Sequence, residues 1–128
     1  MAAGNLLVDT SILIDYLRKK DKKKTQFYKI VNNYDLYVST ITLFELYAGA
    51  KDDRKMRDIE NIIEYLEILP FTGNAAEKAG KIYISLRAEN KVIEAKDLFI
   101  AATALSHDYP IMTLNVKHFD RIPNLNLL

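Results

Sequence analysis

The chain of 128 residues contains no cysteine and no tryptophan, and it has only two histidines, four glycines and three prolines. Without cysteine there is no disulfide frame, no thiol nucleophile and no thiolate metal site, which suits a cytoplasmic protein. His107 and His118 are too few for a histidine-rich metal cage. So little glycine and proline leaves no flexible linker, and no internal repeat is visible. No apolar run approaches the ~20 residues that a membrane helix needs. The opening Met1-Ala2-Ala3-Gly4-Asn5 has no positive segment, and only Leu6-Leu7-Val8 follows it, so a secretory leader is not expected. Gly4 is not at position 2, which argues against myristoylation. An excess of one charge is missing too: 18 basic side chains meet 17 acidic ones, a net charge of +1. This excludes a wholesale basic coat and an acidic disordered tail. Any polyanion binding has to come from local placement of charge.

The composition is that of an ordinary globular protein, with 49% hydrophobic and 27% charged residues. Such a chain buries about two thirds of its unfolded surface and needs no staple. One domain, 1–128, is expected. Leu6-Leu7-Val8 is a short apolar run ending at Asp9 and reads as a strand buried on both faces. Thr10 or Ser11 can cap a following helix that buries Ile12, Leu13, Tyr16 and Leu17. After a basic run comes a helix with Phe27, Ile30 and Val31 inward, then a strand at Leu36-Tyr37-Val38. Thr40 opens the next helix, Thr42 to Ala50, and Asp53–Leu66 is a clean amphipathic helix. Ile68-Leu69-Pro70 reads as a strand, and Asn74 or its neighbour caps a helix ending near Asn90. A helix over about Ala95–His107, a strand at Ile111-Met112-Thr113 and an edge strand at Leu125–Leu128 complete the order. Strands alternating with helices imply right-handed crossovers and a parallel sheet covered on both faces. In such sheets the site lies beyond the carboxyl ends of the strands.

Three acids fall at such positions. Asp9 terminates the first strand, and capping by Thr10 or Ser11 would free it for chemistry. Glu45 is flanked by apolar residues, and its helical neighbours Thr42 and Gly49 are small enough to leave space around the carboxylate. Asp97 shares a stripe with Ile100, Ala101 and Ala104 in the first turn of a helix, where the dipole favours an anion. Glu94 lies three residues before it. Each acid alone reads equally well as a cap or a rim residue. Converging carboxylates repel unless a cation neutralises them, and the natural counter-ion of an all-oxygen cluster is Mg²⁺ or Mn²⁺. Such ions accept phosphate oxygens, which points to phosphodiester or phosphoryl substrates.

At four places, in order, the chain resembles the motifs of PIN-domain nucleases: Leu7-Val8-Asp9-Thr10-Ser11-Ile12-Leu13-Ile14-Asp15, Ser39-Thr40-Ile41-Thr42-Leu43-Phe44-Glu45-Leu46, Ala95-Lys96-Asp97-Leu98-Phe99-Ile100-Ala101-Ala102 and Thr113-Leu114-Asn115-Val116-Lys117-His118-Phe119. The size and the set are similar to VapC-type toxins of toxin–antitoxin modules. The resemblance implies an α/β, three-layer sandwich: a central parallel sheet of about five strands with helices on both faces. It implies an endoribonuclease dependent on Mg²⁺ or Mn²⁺ that hydrolyses RNA with metal-activated water, leaving a 5′-phosphate and a 3′-hydroxyl. Asp9, Glu45 and Asp97 would hold the metal. Asn115 falls where many members carry a fourth acid; it adds no charge and puts a second metal in doubt. Thr10, Thr113 and Glu94 would support the carboxylates from behind. A cognate antitoxin and a homodimer are also implied, with the helix Asp53–Leu66 and the region of Tyr37 and Tyr47 offering surface to the antitoxin.

The run Arg18-Lys19-Lys20-Asp21-Lys22-Lys23-Lys24 carries a local +5 and leaves the rest of the chain at −4. It reads as a solvated connection or, more sharply, as a patch that tracks RNA phosphates beside the site. His107 reads as structural at a helix end and His118 as surface. Rival readings are a housekeeping PIN-domain nuclease, a non-catalytic PIN-like interaction module and a haloacid-dehalogenase-like phosphatase. The last would require an acid at position 11, where the chain has Ser11.

Overall fold

The computed structural model describes residues 3–128; Met1 and Ala2, on which the reading of the chain start partly rests, lie outside the described residues. The elements run β1 (Asn5–Val8), α1 (Thr10–Arg18), a 3₁₀ turn (Lys22–Lys24), α2 (Gln26–Ile30), β2 (Asp35–Ser39), α3 (Thr40–Ala48), α4 (Asp53–Ile63), β3 (Glu67–Leu69), α5 (Gly73–Ala88), α6 (Ala95–His107), β4 (Ile111–Met112) and α7 (Val116–Phe119). The four strands form one parallel sheet in the order β3-β2-β1-β4. Leu6 pairs with Leu36, Val8 with Met112, and Val38 with Ile68. The expected fifth strand contracts to a single parallel bridge, Ile111 with Leu127, outside β4. Leu125 and Leu127 still pack on the core, but Asn124 and Asn126 interrupt the apolar pattern that a longer pairing would use.

Period-two alternation along β1 divides the core. Leu6 and Val8 face α1, α2 and α4 through Ile12, Phe27, Ile30, Ile59 and Ile62. Leu7 faces the other layer, with Ile100, Ala101 and Ala104 of α6 and Leu86 of α5. All three β1 side chains are fully buried, because helices cover both sides of a central parallel strand. Alanines at 101, 102 and 104, each fully buried, let α6 pack tightly against its neighbours.

The helix starts differ from the sequence reading by one or two residues. The side chains that accept the first backbone N–H groups belong to Asp9 for α1, Ser39 for α3 and Thr72 for α5. A cap is the last extended residue before the first helical one, so Asp9 is itself a cap and is not released by Thr10 or Ser11. The chain leaves β1 toward β2 and β3 on one side and later crosses to β4 on the other. This reversal opens a crevice at the carboxyl end of β1, and Asp9 stands at that end.

Candidate active site

A cavity of about 560 Å³ lies at this crevice, open to solvent. Asp9 and Thr10 reach it from the start of α1, Glu45 from α3, Glu94 and Asp97 from the start of α6, and Asn115 from the residue before α7. The fold therefore gathers the three acids and Asn115 in one place from four separate segments.

Asp9 is the most firmly held. Its Oδ2 accepts from Thr113 Oγ1 (2.8 Å) and Ser11 Oγ (2.8 Å), and the Ser11 backbone N–H stands at 3.4 Å. Thr113 is buried and in turn accepts from the backbone N–H of Asn115 (2.9 Å). Every one of these bonds uses Oδ2, so among the described residues Oδ1 has no protein donor. Thr10 Oγ1 lies 2.8 Å from Glu45 Oε1 and 2.9 Å from Thr42 Oγ1. It has one proton for two acceptors, and the carboxylate is the stronger of them. The other Glu45 oxygen, Oε2, accepts from Lys96 Nζ at 3.2 Å. The Glu45 partnership holds the Lys96 ammonium above its ordinary pKa.

Asp97 Oδ2 is 2.9 Å from His118 Nδ1; an ionised carboxylate can only accept, so Nδ1 carries the proton there. Burial pushes the Asp97 carboxyl above its usual range, and the Asp9 charge adds to this, while His118 opposes both. Glu94 caps α6 without a side-chain bond, and its charge also pushes Asp97 up. Asn115 precedes α7 with its side chain uncommitted to any cap.

Five carboxylates line the cavity against three permanent cations, Arg18, Lys19 and Lys96. The excess of two negative charges, all on oxygen donors, fits one hard divalent cation. Among the described residues no three of these side chains stand close enough to hold an ion as they lie. The donor set thus fits a metal, and Glu45 is tied to Lys96 and Asp97 to His118.

The sequence model of the PIN domain matches residues 6–125. The chain belongs to the PIN-domain family. It is 41% identical to Ribonuclease VapC of Rickettsia bellii, over 96% of this chain and 94% of that protein. It is 32% identical to Ribonuclease VapC1 of Methanocaldococcus jannaschii, over 97% of this chain and 85% of that protein. The crystal structure of DNA-bound VapBC from Salmonella typhimurium superposes with a TM-score of 0.86 at 28% identity, covering 100% of this chain and 98% of that one. VapBC-1 from nontypeable Haemophilus influenzae gives 0.84 at 30% identity, covering 97% and 96%.

The PIN fold thus accounts for the order of the four motifs, and three polar groups in its crevice escaped the sequence reading. Ser11 appeared there only as a possible cap. Lys96 is separated from Glu45 by 51 residues, and no spacing rule joins them. His118 had a usable signal: three residues after Asn115, it falls on the same side of a helical turn. His118 is exposed, as the surface reading has it, but it stands at the cavity in direct contact with Asp97. His107 stacks on Tyr109 (5.4 Å) away from the crevice.

The side chains of the basic run are divided among different surroundings. Arg18 and Lys19 line the cavity, and Lys19 pairs with Asp15 (3.3 Å). Lys22 is instead turned onto the end of α1, where its ammonium donates to the carbonyls of Tyr16 (2.6 Å) and Lys19 (3.1 Å). Lys23 and Lys24 are exposed in the 3₁₀ turn, and Lys20 is exposed beyond α1. Tyr37 is half-buried against Tyr109 (4.7 Å), whereas Tyr47 is exposed.

Proposed function

We propose that this single-domain chain is the toxin of a VapC-type toxin–antitoxin system, an endoribonuclease that uses Mg²⁺ or Mn²⁺ in the cytoplasm. The observation that carries this reading is the convergence of Asp9, Glu45 and Asp97, from three different elements, on one crevice with two negative charges in excess. Support also comes from relatives named as ribonucleases and from neighbours solved as VapBC complexes.

In this mechanism Asp9, Glu45 and Asp97 would hold the metal, and Asn115 would offer an amide oxygen. When bound, the ion supplies a polarised phosphate and a water of lowered pKa. Thr113 and Ser11 fix Asp9 through Oδ2 and leave Oδ1 for ligation. Thr10 orients Glu45, His118 orients Asp97, and Glu94 adds negative charge at the rim. Lys96, firmly protonated, stands where the phosphodiester charge arrives. Arg18 and Lys19 meet the RNA strand as it enters; Lys20, Lys23 and Lys24 extend that field in solution. An antitoxin partner and a second copy of the chain complete the assembly. Phe44 of α3 and Ile84 of α5, 66% and 68% exposed, offer apolar surface for such contacts.

The test is cleavage of total RNA by the purified chain with Mg²⁺, with Mn²⁺ and with chelator, beside Asp9→Asn and Asp97→Asn. The expected result is metal-dependent cleavage that falls at least ~100-fold in either variant. Full activity in a folded variant, or in chelator, would refute the site.

A further inference from the structure

A second groove, about 540 Å³, runs between the end of α1 and the face of α4. It adjoins the acidic cavity, since Arg18 and Lys19 line both. Its charge is opposite: five cations, including Lys20 and Arg54, against the single acid Asp58. Arg18, Lys20 and Arg54 have no carboxylate within ion-pair reach among the described residues. Two tyrosines flank them, in unequal states. Tyr16 is enclosed, tilted against Phe27 at 4.9 Å with the Lys22 ammonium over its ring at 4.8 Å. Tyr65 meets Phe27 only by a near-perpendicular contact at 6.4 Å and is 64% exposed. Free cations beside an uncovered aromatic ring are the elements of a single-strand platform: phosphates follow the cations and a base stacks on the ring.

We propose that this groove holds the single-stranded RNA flanking the scissile bond, with Arg18, Lys20 and Arg54 on phosphates and Tyr65 under a base. The proposal rests on the ribonuclease reading and deepens it. It moves the RNA path from the basic run as a whole to a channel half built by α4. It also withdraws Lys22 from RNA contact, since the donors of Lys22 are engaged with α1 carbonyls. One occupant is favoured by charge: the groove complements a polyanion and lies next to the cavity where the phosphodiester would react.

The test is fluorescence anisotropy with a labelled single-stranded RNA of about 12 nucleotides, bound to the full-length Asp97→Asn chain across a salt series. Arg54→Gln and Tyr65→Ala are added to that background, with Lys78→Gln on α5 as the off-groove control, and melting curves verify folding. Arg54→Gln should weaken binding about 5-fold at low salt and reduce the salt slope by about 0.7. Tyr65→Ala should weaken it about 10-fold with the slope kept, and Lys78→Gln should change neither. Affinity within about twofold and an unchanged slope for folded Arg54→Gln would overturn the groove. If the unsubstituted chain nevertheless cleaves RNA, the ribonuclease reading survives that failure. Weakened binding in a chain that cleaves nothing would support the groove and reject the ribonuclease. Intact RNA binding with lost antitoxin capture would overturn the proposal and give the groove to the protein partner.

Discussion

His118 Nδ1 stands 2.9 Å from Asp97 Oδ2 and joins the first turn of α6 to α7 across the crevice. The imidazole sets the rotamer of the carboxylate and partly offsets the burial that disfavours its charge. His118→Ala should therefore weaken Mn²⁺ binding about 10-fold, read by calorimetry, and lower cleavage in parallel at subsaturating metal. His118→Asn keeps a donor and should recover part of the loss. Equal metal affinity in His118→Ala and the unsubstituted chain would remove this role.

Asp97 carries a second consequence. Its folded pKa is raised by burial and by the Asp9 charge, so the folded state holds its proton more tightly than the unfolded one. The stability linked to that proton is full below the unfolded value of ~3.9 and is lost as pH rises through the folded value. At neutral pH the ionised carboxylate is a burden on the fold. Asp97→Asn should then raise the melting temperature by about 2 °C or more at pH 7 and abolish cleavage. The gain should vanish near pH 3. Mg²⁺ should raise the melting temperature of the unsubstituted chain and not that of the variant.

What the sequence disclosed follows physical lines. Leu6-Leu7-Val8 was legible because a central parallel strand is apolar at every position, and all three are fully buried. Asp9, Glu45 and Asp97 stood out as charges in apolar company, and the motif order linked them before any geometry was known. Contacts between distant segments were not legible. Lys96 reaching Glu45 depends on tertiary approach, and Lys22, only six residues or fewer from its partners, folds back on α1 through a long flexible side chain that no spacing rule places. The four residues of α7 show too little periodicity to separate a helix from a turn. Leu125–Leu128 makes only one bridge, because Asn124 and Asn126 interrupt its apolar pattern and β4 beside it is two residues long.

The buried hydroxyl of Thr113 links the end of β4 to Asp9 and accepts from Asn115 N. Thr113→Val keeps the shape and removes both bonds. It should cost about 1–3 kcal/mol of stability, measured by urea unfolding, and reduce cleavage because Asp9 loses a donor on Oδ2. Thr113→Ser keeps the hydroxyl and should restore cleavage even if some packing is lost. A Val variant with full activity would show that Ser11 alone positions Asp9.

Lys96 binds Glu45 Oε2 at the mouth of the cavity. Its charge repels a dication, yet it is the cation that lines the cavity from α6. Lys96→Met should thus separate two quantities. Metal affinity should rise, by about 3-fold for a partly exposed charge in high dielectric, because Glu45 is released and the repulsion is gone. The cleavage rate at saturating metal should fall about 10-fold, because the phosphate loses its counter-charge. Lys96→Arg retains the charge and should hold both quantities near those of the unsubstituted chain. If Lys96→Met raised metal affinity and left the saturated rate unchanged, Lys96 would be only a tether that holds Glu45 away from the ion.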